Sequence, residues 1–244
     1  MAKIILPDTI FGISVDGAME REKTAQPTSK QPIIKAPAQN LNGFVYVPSL
    51  NLHIAEKREL TGKTWNKAVE QIYTQGIIVG GMRAEMPTPY EFMVFINDLI
   101  ADRIPIPQEK AKEILDDILK IGDYRGNHLN AKFVFDDKGF NKFGIETIIF
   151  DSAGKPYKET EPLGSCLFKD EYADITKFNK QGLLTHSSDL QNYAQGKNLY
   201  AYYPELNGVA RADAVSCRVD LYCDGRPGDR NASLGVRFVL RAKK

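Results

Sequence analysis

Residues 82–92 read MRAEMPTPYEF, and the last five of them contain a complete helix start. Thr88 can accept a hydrogen bond from the Glu91 amide, and Glu91 can reach back to the Thr88 amide. Pro89 takes the first helical position, where no donor is required. The spacing of Phe92, Phe95, Ile96, Leu99 and Ile100 then predicts one buried helical face.

Upstream, Trp65, Ala68, Val69, Ile72 and Tyr73 predict an amphipathic helix that starts at Thr64 and that Gly76 can stop. Downstream, a third helix opens at about Pro107, with Ala111, Ile114, Leu115, Ile118 and Leu119 on one face and Gly122 at its end. Ahead of the helices, FVYV (44–47) and LHIA (52–55) flank PSLN and read as two strands and a turn. Beyond them, KFVFD (132–136), FGIETIIFD (143–151) and KPYKE (155–159) predict a small meander. RVDLYC (218–223) and LGVRFVL (234–240) both alternate and are joined by the turn-rich DGRPGDRNAS. Residues 160–207 show no ordered pattern, and no internal repeat is present.

Composition narrows the function classes. The chain has 244 residues, 43% of them hydrophobic, enough for a substantial core. A net charge of +1 provides no global field for nucleic acid or an anionic membrane surface. No run of about 18 apolar residues occurs, so membrane insertion is not expected. Three cysteines cannot build a disulfide framework. The N-terminal MAKIILPDTIFGISVDGAM has an apolar patch that Pro7 and Asp8 interrupt, which is not a signal-peptide core. Synthesis in the cytoplasm is expected, compatible with later display on a virion. Residues 20–42 read as an extended linker, making 1–42 an N-terminal segment ahead of a domain over 43–244.

Two segments carry a resemblance. TWNKAVEQIYTQG (64–76) followed by MRAEMPTPYEF resembles the helix, loop and helix start of the formylglycine-generating-enzyme-like branch of the C-type lectin fold. Pro227, Arg230 and NASLGVR (231–237) resemble that branch's closing strand. The same landmarks occur in the variable proteins of diversity-generating retroelements, which include phage tropism determinants and proteins of archaeal viruses. The resemblance implies an α+β C-type lectin fold, with residues 101–206 as an insertion or elaboration and 207–242 as a C-terminal variable region.

The branch decides between enzyme and binder. In the oxidase, a copper-bound thiolate pair activates oxygen, and Cys217 and Cys223 lie in the corresponding region. Their mutual spacing and their offset from Gly235 differ from the oxidase pattern. In a continuous strand the two sulfurs would sit on one face about 20 Å apart, too far for a disulfide or a shared metal. Composition favours the binder. Residues 206–242 contain no Lys, Glu, Gln, Met or Trp, although these types supply 50 of the 244 residues. They are the amino acids that an AAC codon with randomised adenines cannot encode, and that template bias is the one these retroelements use.

On this reading the fixed frame is Gly208, Val209, Arg218, Cys223, Asp224, Pro227 and Arg230 through Arg237. The candidate diversified, ligand-binding positions are Ala212, Asp213, Val215, Cys217, Asp220, Tyr222, Gly225, Arg226, Gly228 and Asp229. Alternation puts Val219 and Leu221 on one side of their strand and Asp220 and Tyr222 on the other. Arg237 points outward or is buried against a carboxylate. Tyr200, Tyr202 and Tyr203 add aromatic area suited to recognition. His53, His128 and His186 lack metal-binding spacing, and no calcium-lectin loop is present, so neither metal nor cofactor is expected. The expected function is non-catalytic recognition of a protein or other cell-surface ligand.

Overall fold

The computed structural model describes residues 41–241, together with the backbone of Thr9–Ile10 and Ile13–Ser14. The chain divides into a unit over residues 1–35 and a unit over residues 36–244. In the first, β1 (Thr9–Ile10) pairs antiparallel with β2 (Ile13–Ser14). The expected linker lies, up to residue 40, outside the described residues.

In the second unit the helix start at Thr88 forms as its sequence predicts. Thr88 Oγ1 accepts from the Glu91 amide at 3.2 Å and Glu91 Oε2 accepts from the Thr88 amide at 2.9 Å, a cap of about 1 kcal/mol. It opens α2 (Pro89–Ile100), whose Phe92, Phe95, Ile96 and Leu99 are buried. Each such side chain contributes about 1.5–3 kcal/mol relative to exposure. Ile100, expected on the same face, is 39% exposed at the helix end. α1 (Trp65–Val69) is capped by Thr64 but continues over Glu70–Gly76 as a π-helix, so only the first part of that predicted helix is α. Gly76, at φ +82°, ends it in a conformation suited to glycine. α3 (Gln108–Leu119) starts after Pro107 and buries Ala111, Ile114, Ile118 and Leu119.

Five strands form one sheet in the order β3 (Phe44–Val47), β4 (Leu52–Ala55), β15 (Val239–Arg241), β6 (Met82–Glu85) and β5 (Ile78–Val79). The second sheet has eight strands. Its main path runs β10 (Glu171–Asp174), β11 (Asn198–Ala201), β13 (Val219–Gly225), β12 (Val209–Ala214), β7 (Arg125–Phe135), β8 (Phe143–Phe150) and β9 (Pro156–Pro162), and β14 (Leu234–Gly235) also pairs with β7. The class is α+β. The expected meander is β7–β8–β9, antiparallel throughout.

Residues 101–206, expected as an insertion or elaboration, supply α3 and β7 to β11, and the C-terminal β12 and β13 sit between β7 and β11. One expectation changes. LGVRFVL is not one alternating strand. Leu234 through Leu240 are all buried, and the chain leaves the eight-stranded sheet after β14 to enter the other as β15. The crossing is held where the Val236 amide donates to Glu59 O and Phe238 O accepts from the Ala55 amide. Burial on all sides replaces the alternation that the sequence implies.

Two hydrophobic clusters result. One joins α2 and α3 to Leu129, Phe133, Leu199, Val219 and Leu221 of the eight-stranded sheet. The other gathers Trp65, Ile72, Tyr73 and Met86 with Ile148, Val209, Val236, Phe238 and Leu240. The five-stranded sheet serves both, giving Ile54 and Val239 to the first and Ala84 and Leu240 to the second.

Candidate functional site

Alternation sorts the centre of the eight-stranded sheet into two faces. Ala173, Leu199, Ala201, Ala210, Ala212, Ala214, Val219, Leu221 and Cys223 enter the first core cluster. Their strand neighbours Tyr172, Tyr200, Arg211, Asp213, Asp220 and Tyr222 therefore lie on the opposite face. Register aligns them across strands: Asp213 faces Asp220, Asp220 faces Tyr200, and Tyr200 faces Tyr172. Arg211 stands between Tyr222 on β13 and His128 on β7.

The aromatic rings form a connected row. Tyr172 meets Tyr200 edge-on at 5.2 Å, Tyr200 meets Tyr202 at 5.2 Å, and Tyr202 stacks on Tyr222 at 4.3 Å with an 11° interplanar angle. The Arg211 guanidinium lies 4.5 Å from the Tyr222 ring centroid and that of Arg218 lies 4.0 Å from Tyr200. Such contacts contribute about 0.5–2 kcal/mol each and fix the rings in place.

Beneath the rings sit two carboxylates. Asp213 and Asp220 are 0% and 1% exposed. Asp213 makes an ion pair with Arg211 Nε at 2.9 Å and accepts from the Tyr124 hydroxyl at 2.8 Å. Asp220 accepts from Arg218 Nε at 2.7 Å and from the Tyr222 hydroxyl at 3.2 Å. Arg218 also donates to the Tyr202 hydroxyl at 2.7 Å, and Arg211 reaches Asp229 at 3.3 Å. Burial pushes the Asp213 carboxyl up to about 6 against the pull of Arg211 and Tyr124, and burial likewise raises Asp220 against Arg218. Burial lowers His128 to about 4, so its imidazole is neutral at pH 7 and Nε2 donates to Lys63 O at 3.1 Å.

The ten expected positions do not form a uniformly open surface. Cys217, Arg226 and Gly228 are exposed, and Val215, Tyr222 and Asp229 are half-buried. Asp213 and Asp220 are buried because the flat Arg and Tyr side chains cover them. Ala212 is buried because its parity is that of the core. Gly225 is buried with no room for a side chain: a Cβ there would lie 2.8 Å from Val209 O. Val215 and Cys217 occupy the β12–β13 turn and Arg226 to Asp229 follow the far end of β13, with Tyr222 between on the face. Gly225→Ser is expected to cost about 1–3 kcal/mol through overpacking. An unchanged urea midpoint would show that β13 yields at this point.

No known protein family, curated protein or solved structure matches this chain.

Four residues of the face were named neither among the expected positions nor in the expected frame or aromatic area: Tyr124, His128, Tyr172 and Arg211. Arg211 was within reach, because ARADA alternates small and charged residues and assigns Arg211 to the side of Asp213. The expected frame is largely buried or tied down. Val209 and Cys223 are in the core, Arg230 donates to Gly62 O at 2.9 Å, and Arg237 is wholly buried against Asp117. All three cysteines are free. Cys217 is exposed in the turn, Cys223 is buried, and β13 runs without a turn from Val219 to Gly225, so nothing folds the second thiol back toward the first. Burial raises the Cys223 thiol well above its ordinary value, which suppresses the reactive thiolate. Among the described residues, no three His, Cys, Asp or Glu side chains are grouped to hold a metal ion, and no helix is long and apolar enough to cross a membrane.

Proposed function

We propose that this protein is a non-catalytic recognition module of the retroelement-diversified class, built on a C-type lectin fold and serving attachment of a virus or phage to its host. The observation that carries the reading is the row of Tyr172, Tyr200, Tyr202 and Tyr222 with Arg211 and Arg218, set on the sheet face opposite the core. Tyr and Arg dominate binding hot spots because they bring large contact area and directed polar groups at modest entropic cost. The closing segment supports the fold assignment: Leu234 to Arg241 returns to β4 and β6, the strands that flank α1 and precede α2. The absence of Lys, Glu, Gln, Met and Trp from residues 206–242 supports the diversification.

Burial supports a narrower set of variable positions within this proposal. Val215, Cys217, Tyr222, Arg226, Gly228 and Asp229 can change without disturbing the core, whereas Ala212, Asp213, Asp220 and Gly225 belong to the support beneath the face. Sequencing this coding region across a natural population, with its flanking DNA, tests both statements. The expected result is a nearby reverse transcriptase, a near-copy of the segment encoding 206–242 that differs at adenines, and substitutions concentrated at the six accessible positions. Substitutions spread evenly along the chain, with no near-copy, would sink the proposal.

A further inference from the structure

Asp213 and Asp220 are direct cross-strand partners on one face of the sheet, and both are removed from water. Like charges placed directly opposite each other in a sheet repel. The Asp220 charge adds to burial in raising the Asp213 carboxyl above its ordinary value. Among the described residues, Arg211 and Arg218 balance them, and these same side chains cover Tyr222 and Tyr200. One Asp213 oxygen, Oδ1, has no hydrogen-bond partner although it is buried. It lies where any side chain at position 126 would be, which accounts for glycine there. This oxygen can take up a proton without giving up a bond.

From this arrangement we propose that the Asp213–Asp220 pair is an acid-sensitive latch, holding the tyrosine and arginine face in its binding arrangement at neutral pH and releasing it in mildly acidic surroundings. The inference uses the recognition reading for its purpose but not for its test. The charged and titratable groups around Asp213 are Arg211 on its own strand, Asp220 and Tyr222 on β13, His128 on β7, Tyr124 ahead of β7 and Asp229 after β13. Around Asp220 stand Arg218 and Tyr222, with Tyr200 and Tyr202 from β11 and its continuation, and Tyr172 beyond them. Asp229 is already a partner of Arg211, His128 is neutral throughout the relevant range, and the tyrosines Tyr124 and Tyr222 are held protonated by burial and by the aspartates. Of these groups, Asp213, which burial raises to about 6, changes state between pH 7 and 5, and the neighbouring Asp220 charge helps to raise it.

The consequence follows from the contacts. A proton on Asp213 removes the buried counter-charge of Arg211 and leaves it Asp229, which is nearly half exposed, as its remaining carboxylate. The guanidinium then moves outward and uncovers Tyr222, whose stacking on Tyr202 it had confined. Folding does not suffer in the same step. The Asp213 carboxyl titrates at about 6 in the folded chain, above its value in an unfolded one, so the native state binds the proton more tightly. Acidification through this range therefore strengthens the fold through this group, and the gain is lost as pH rises through 6.

Near-ultraviolet circular dichroism reads the tyrosine stack directly. The full chain is expected to show a single step in its tyrosine band between pH 7 and 5, with an unchanged far-ultraviolet spectrum and no drop in Tm. Asp213→Asn, which imitates the protonated acid, is expected to show the acid-form band at pH 7.5 and no step. Asp220→Asn should move the step to lower pH by removing the like charge, and His128→Gln should leave it in place. The latch is overturned by a flat titration of the unaltered protein, or by a step that persists at the same pH in Asp213→Asn. Should that variant not fold, carbon-13 titration of the Asp213 carboxyl in the unaltered protein decides. A midpoint near the ordinary aspartate value of about 3.9 refutes the proposal. Either refutation leaves the recognition reading standing, since that reading is tested by the pattern of natural substitutions.

Discussion

Replacing Asp117 by Ala is expected to lower the free energy of unfolding by about 3–5 kcal/mol, the cost of stranding a buried cation. The cation is Arg237, which has no exposed surface. Its guanidinium pairs with Asp117 and donates to the carbonyls of Ala55 and Glu56. Burial lowers the Arg237 pKa to about 10, with Asp117 acting in the opposite direction. Asp117 itself keeps 31% of its side-chain surface exposed and also binds Arg58 at 3.0 Å. The loss therefore arises from what remains behind rather than from a strong isolated pair. Arg237→Met should cost less than Asp117→Ala, because it removes the buried charge along with the need for a partner. Denaturant titration of both variants compares them. A loss under about 1 kcal/mol for Asp117→Ala would mean that water reaches Arg237 and that the segment between β14 and β15 is looser than its burial implies.

Leu221→Ala and Phe238→Ala are expected to cost about 2–5 kcal/mol each, as transfer free energy is lost and a cavity remains. Leu221 is 2% exposed in the cluster under α2 and α3, and Phe238 is 5% exposed in the cluster around α1. The two belong to separate clusters, so their effects should nearly add. Substitutions at Arg226 and Gly228 should change stability by no more than about 0.5 kcal/mol, since the first is exposed and the second has open space around it. Thermal unfolding of the four variants checks the contrast. Equal losses at all four would remove the distinction between scaffold and variable surface.

The helices and the meander were legible because their signals are local. A capping box, a 3.6-residue stripe or a turn between alternating runs needs no partner to be recognised. The first half of β7, RGNHLN, was not legible: Asn127, His128 and Asn130 suggest a loop, yet all three are buried. Asn130 shows why, since its side chain bonds the Tyr73 hydroxyl, Ile148 O and the Ile148 amide, partners far away in the chain. Strands β10 and β11 were invisible for a similar reason, being four residues long and flanked by loops that side chains such as Asn179 and Asn198 hold together. At the candidate site, parity along β13 was readable and correct. What parity cannot supply is cover: Asp220 does point away from the core, but Arg218 and Tyr222 lie over it.

The position of β15 also governs how the chain reaches this structure. Val239 pairs with Ile54 on one side and Glu85 on the other, so the middle of the five-stranded sheet is filled by a strand distant in sequence from both neighbours. Until it arrives, β4 and β6 present open edges to solution, and closing so long a loop is slow. Refolding should accordingly pass through a stage in which yield depends on protein concentration, because molecules of the same kind compete with β15 for those edges.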